Sequence, residues 1–129
     1  MQRHLDLERE ILLAVEADDH SEAWVNLSGV QGYDERQIGD HVMLLYEAEL
    51  IDALERQNMN AVAGMGWHPK RLTMAGHEYL DTIRDPEIWR QTKDGAEQVG
   101  SFSLEFVSAL AKGFIREQTK KLTGLEIDF

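Results

Sequence analysis

Cysteine is absent from the 129 residues. That excludes disulfides, thiolate metal sites and a cysteine nucleophile, and it is compatible with a reducing compartment. Long apolar runs are missing too: no window approaches the roughly 18 uninterrupted apolar residues of a membrane span. The opening MQRHLDLERE breaks its apolar residues with charge, so no secretory leader is expected and the cytoplasm is the expected location. Basic residues are scarce. Lys and Arg number 13 against 24 Asp and Glu, a formal net charge of −11, which excludes a generally basic nucleic-acid surface. The imbalance is local. Residues 34–55 carry one basic and seven acidic groups, whereas residues 56–84 carry four basic and two acidic.

Motifs of catalysis and metal binding are also missing. Ala61-Val62-Ala63-Gly64-Met65-Gly66 lacks the Lys-Ser/Thr end of a phosphate loop and opens no helix. There is no nucleophile elbow. His77 and Asp81 share a helical face, and Asp18-Asp19-His20 lie together, but neither is a full ligand set at metal-site spacing. No catalytic residue, metal or cofactor is predicted.

What is present is a hydrophobic fraction of 43%, ordinary for one globular domain of this length. Residues 5–17 are helical in pattern, with Leu7, Ile11, Ala14 and Val15 on one arc and Leu5 and Leu12 at its edge. Ala23 to Leu27 is a short β-compatible run that needs a later partner. Asp34 with Gln37 three residues on is a capping-box signature. The helix it opens, about residues 35–49, turns Ile38, His41, Val42 and Leu45 inward and Arg36, Gly39, Asp40, Met43 and Glu47 outward. His41 on that arc is expected to be a hydrogen-bonded core histidine. Ile51–Arg56 and Trp67–Leu72 read as a hairpin, with Pro69 at an edge or bulge. Thr73 caps a further helix on which Gly76 permits close approach. Asp85-Pro86 starts another that ends by Gly100. Ser101 or Ser103 starts the last, with a wide apolar arc that includes Leu110 and Phe114, and Gly124 stops it.

The order of helix, short strand, helix, hairpin and helix is close to a winged-helix domain. IGDHVMLLYEAELI resembles the second helix of a winged helix-turn-helix leading into the wing, and RLTMAGHEYLDTIRD resembles the exit of the wing. Nearly the whole chain resembles a family of small bacterial and prophage proteins, the domain of unknown function 2513; LTMAGHEYLDTIRD is its most specific stretch. The resemblance implies an α+β, winged-helix-like fold over residues 1–129 as a single domain, with a C-terminal helical extension at about 86–122. It implies no activity. Two features depart from the winged-helix pattern. Glu49 stands where glycine would supply a left-handed turn, and Ser28 to Tyr33 is loop-like where a short helix would precede the recognition helix.

The expected function is a non-enzymatic binding module of regulatory or accessory type, in a bacterial or prophage setting, working through protein contacts. Arg36, Asp40, Met43 and Glu47 would face the partner. The alternative is a DNA-binding regulator, with Arg36, Gln37, Arg56, Lys70 and Arg71 as helix and wing contacts and Lys112, Arg116 and Lys120 as a basic stripe along the backbone. The carboxylates around Arg36 disfavour duplex DNA, because phosphate contacts normally supply much of the affinity. An enzyme is a distant third reading. A homodimer through Phe106, Leu110 and Phe114 is expected as a further partner interaction, and no membrane is.

Overall fold

The computed structural model describes residues 1–19, 23–55 and 66–124. The fold is α+β, with five helices and one two-stranded antiparallel sheet among the described residues. The chain divides into two units, residues 1–80 and 81–129.

The first unit begins with α1, Leu5–Ala17, which buries Leu7, Glu8, Ile11, Leu12 and Val15. The buried arc is therefore rotated from the expected one. Leu12 is fully buried, Ala14 is half-buried, and a glutamate occupies the arc. The run from Ala23 to Leu27 is not a strand and bends at Ala23 and Trp24. The Val25 N–H donates to the Pro69 carbonyl at 2.8 Å. Proline has no N–H to give in return, so this bond cannot be repeated from Pro69 as a ladder pair. The expected short strand is thus reduced to a single tie.

Helix α2, Glu35–Glu47, starts at the capping box read from the sequence. Asp34 accepts from the Gln37 N–H at 2.8 Å, and the Gln37 side chain accepts from the Asp34 N–H at 3.0 Å. Its end is a Schellman motif: the Glu49 N–H donates to Tyr46 and the Leu50 N–H to Leu45. Glu49 holds the left-handed position, at φ 63°, and is the one non-glycine residue with positive φ among the described residues. The turn that glycine normally makes is kept, and Glu49 carries its strain. A left-handed non-glycine residue costs roughly 1–2 kcal/mol, part of which glycine returns as unfolded-state entropy. Glu49→Gly is therefore expected to raise unfolding stability by about 0.5–1 kcal/mol, read as a higher urea midpoint at unchanged slope.

Strands β1, Ile51–Glu55, and β2, Trp67–Leu72, pair antiparallel from Ile51 opposite Leu72 to Glu55 opposite Trp67. The register shifts between Asp52, opposite Arg71, and Ala53, opposite Pro69. Lys70 is the extra residue of the resulting bulge, so Pro69 sits beside a bulge as its missing donor requires. The connection from residue 56 to residue 65, including Arg56, lies outside the described residues.

Helix α3, Met74–Ile83, is capped by Thr73, whose hydroxyl accepts the Gly76 N–H at 3.0 Å. In the second unit α4, Pro86–Val99, begins at an Asp85 cap with proline in its first turn and ends at left-handed Gly100. Helix α5, Leu104–Thr123, begins at Ser103 and stops at left-handed Gly124. It packs on α4: a Cβ at Gly95 would sit 3.4 Å from Leu110 Cδ1. Among the described residues, no helix is long and apolar enough to cross a membrane.

Candidate functional site

The surface of the first unit is built around α2. On its outward side Glu35, Arg36 and Glu47 are exposed, while Asp40 and Met43 are half-buried. Tyr46 is 41% exposed and leans on the hairpin, its ring 5.2 Å from that of Trp67. Gly39, expected on the outer face, is instead buried. It lines a groove together with residues of the segment before α2, so α2 is covered more widely than a single apolar arc reveals. Gln37, a candidate base reader, has its amide oxygen committed to the capping box. The same box places the Asp34 carboxylate on the Gln37 N–H, so a negative charge already stands at the positive end of the helix.

This groove lies open beside the face and holds about 580 Å³, between the segment before α2, the first half of α2 and β2. Trp24, Tyr33, Glu35, Trp67 and His68 contribute its aromatic and charged lining. Trp24 stacks on His68, with ring centroids 4.6 Å apart and an interplanar angle of 27°. The sequence places the two tryptophans as packing residues. Their convergence was hidden because the segment from Trp24 to Tyr33 carries no regular secondary structure from which to infer a direction.

Two part-buried polar contacts fix the start of α1. His41 is fully buried. Its Nε2 accepts the His4 backbone N–H at 2.9 Å, and its Nδ1 lies 2.7 Å from the Gln37 carbonyl. An N–H can only donate, so Nε2 is the unprotonated nitrogen and Nδ1 donates to Gln37. This bears out His41 as a hydrogen-bonded core histidine and shows its partner to be the start of α1. The bond satisfies the N–H of His4 itself, the N-cap residue, whose own side chain makes no cap.

The second contact was not anticipated from the sequence. Arg3 grips Glu8 with two bonds, Nε to Oε2 at 3.0 Å and Nη2 to Oε1 at 2.9 Å. The hydrogen bond from Glu8 holds the Arg3 guanidinium above its ordinary pKa. The available signal was a glutamate one turn before Leu12 on a buried arc, with an arginine just upstream. Tyr79 belongs to the same cluster: burial first, then the Glu8 charge, push its hydroxyl well above the ordinary value of 10.0, and Arg3 opposes the rise. The unfolded chain releases this proton near pH 10 while the folded chain retains it. Tyr79 therefore contributes stability that is complete below pH 10 and declines as pH rises above it. Tyr79→Phe should flatten the loss of stability between about pH 9.5 and 11, as compared in urea titrations of the two proteins.

The hairpin offers the exposed cations Lys70 and Arg71. Arg71 approaches Asp52 at 4.0 Å and donates to the Leu72 carbonyl at 3.1 Å, so its charge is partly engaged within the hairpin. In the second unit, Lys112, Arg116 and Lys120 are exposed at one-turn spacing along α5. Phe106, Leu110 and Phe114 are brought together in a shallow apolar hollow of about 310 Å³, with Glu117 at its rim. Among the described residues, no cluster of His, Cys, Asp or Glu is arranged to hold a metal ion.

The family model for the hypothetical proteins of DUF2513 matches residues 2–103. The chain belongs to this family. A relative in Haemophilus influenzae, described as an uncharacterized protein, is 30% identical over 118 residues, covering 91% of this chain and 98% of its own. No solved structure matches significantly. The residues matched by the DUF2513 model include the α2 face, the groove and both part-buried contacts. They end at Ser103, the cap of α5, so the basic stripe and the apolar hollow lie beyond them.

Proposed function

We propose that the chain is a non-enzymatic binding module on a winged-helix-like layout that engages a protein partner in the bacterial cytoplasm, in a regulatory or accessory role. The layout follows from the order of elements. Helix α1, the irregular segment after it, α2 and the hairpin follow one another in an order compatible with that fold, in which α2 would take the place of the recognition helix. The observation that carries the protein reading is the charge on α2. Arg36 is the one cation on its outward side, among Glu35, Asp40 and Glu47. A surface of this sign meets phosphates unfavourably and a basic protein favourably. Half-buried Met43 and exposed Tyr46 add apolar area beside the charge, as protein interfaces do.

The test is capture of a partner by the full chain, compared with a variant carrying Asp40→Ala, Met43→Ala and Glu47→Ala together. The reading expects a specific partner that the variant loses while remaining folded. Capture that persists unchanged counts against this face. A DNA-binding regulator is the second reading. It is supported by the layout and by Lys70 at the hairpin bulge, and opposed by the charge of α2 and the engagement of Gln37.

Self-association is a separate expectation of the apolar hollow on α5, where Phe106 and Phe114 are half-buried and Leu110 is partly spent on α4. Sedimentation at increasing concentration is expected to show a dimer that Phe114→Glu abolishes. A strict monomer at the highest concentration removes it.

A further inference from the structure

We infer that the groove of the first unit is a binding site for an arginine side chain presented by an extended basic segment of the partner. The inference rests on the protein-partner reading and names the chemistry of what is bound. The groove shares Glu35 with the outward side of α2 but is otherwise lined by residues outside that face.

Three features of the groove converge on a guanidinium. The first is its aromatic lining. Trp24, Tyr33 and Trp67 line one concavity together with His68, and aromatic faces attract cations, arginine more often than lysine because its flat head also stacks. The second is charge. Glu35 lines the same groove at the start of α2, and a carboxylate can take a guanidinium through two parallel hydrogen bonds. The third is shape. The groove is partly open to solvent and holds about 580 Å³, in the range of pockets that take small ligands and ample for one arginine side chain.

Packing alone explains this arrangement less well. Trp24 and Trp67 are each only half-buried, Glu35 is exposed, and the groove remains open with their rings on its walls. Tryptophans whose sole role was to fill a core would close such a space. An anionic ligand is disfavoured because Glu35 lies in the lining and the Asp34 carboxylate already stands at the start of α2, on the Gln37 N–H.

The test follows backbone amide resonances of the full-length protein during titration with a capped tetrapeptide alternating arginine with valine. A peptide with glutamate in place of arginine is the control. The arginine peptide is expected to shift Val25, Gly39 and His68 saturably, and the glutamate peptide to leave them in place. Glu35→Gln, an exposed change that should not perturb folding, is expected to weaken binding about 5-fold, the effect of losing one partly exposed charge pair. Trp24→Leu should weaken it by a similar factor through loss of the π face. No saturable shift with the arginine peptide, or equal shifts with the glutamate peptide, overturns the inference. So does undiminished affinity in both variants. If the groove fails while capture still depends on Asp40, Met43 and Glu47, the protein-partner reading stands and only the arginine site falls. If the groove binds arginine while that capture is unaffected, the α2 face falls instead.

Discussion

Gly76→Ala is expected to destabilise the protein by more than about 3 kcal/mol, beyond the usual range for inserting one methyl group. A Cβ at residue 76 would lie 1.9 Å from the Leu50 carbonyl oxygen and 2.9 Å from its carbon. Both are backbone atoms, so no side-chain rotation relieves the clash. Nor is the Leu50 carbonyl free to move away, since it accepts the Thr73 N–H at 3.0 Å. The Thr73 hydroxyl donates to the Glu49 carbonyl at 2.6 Å and accepts the Gly76 N–H. The start of α3 is thereby clamped onto the turn between α2 and β1, and the clamp works only if residue 76 has no side chain. Gly113→Ala is the matching control. It lies within α5 with nothing within 4 Å of its would-be Cβ, so the change should stabilise by roughly 0.5–1 kcal/mol. Urea unfolding followed by far-ultraviolet circular dichroism reads both. A Gly76→Ala protein of near-normal midpoint would show that the approach of α3 to Leu50 is not required by the fold.

His41→Ala is expected to cost about 3 kcal/mol, combining an unfilled space with a lost hydrogen bond. The ring is fully buried and is the link from α2 to the backbone at the start of α1. Removing it leaves the His4 N–H without the acceptor it has in the intact protein, in a part-buried position. The loss should be regional as well as global. Amide exchange is expected to accelerate first in the opening turn of α1, because His4 makes no side-chain cap of its own. Equal exchange along all of α1 in the variant would mean that the histidine acts by filling space alone.

Local signals in the sequence were the ones that survived folding. Asp34 with Gln37, Thr73, Asp85 with Pro86, Ser103, Gly100 and Gly124 all mark helix ends where expected, because a cap needs only the few residues around it. Gly76 was legible as a point of close approach, and His41 as a bonded core histidine, since each interrupts an otherwise apolar arc. Glu49 could be recognised as occupying the place of a left-handed glycine. Whether the chain would keep the turn or abandon it depended on Leu45 and Leu50 both finding burial. What could not be read was set by distant partners. The Ala23–Leu27 run lost its ladder because β2 presents a proline to it. Gly39 is buried although helical periodicity puts it on the outer side. Glu8 is tolerated in the core because Arg3 reaches forward five residues to neutralise it. The groove itself arises where the first two of these placements meet.

The central claim is that the outward side of α2 faces protein and not duplex. Titration of the full-length chain with duplex DNA across a range of salt concentrations tests it most directly. The electrostatic part of any duplex affinity is largest at low ionic strength. The protein is expected to leave the duplex unbound there, and reversing Asp40 and Glu47 to lysine is expected to create weak, salt-sensitive binding. Binding by the unaltered chain that strengthens steeply as salt is lowered, and that is lost on changing Arg36 and Lys70, would contradict the account.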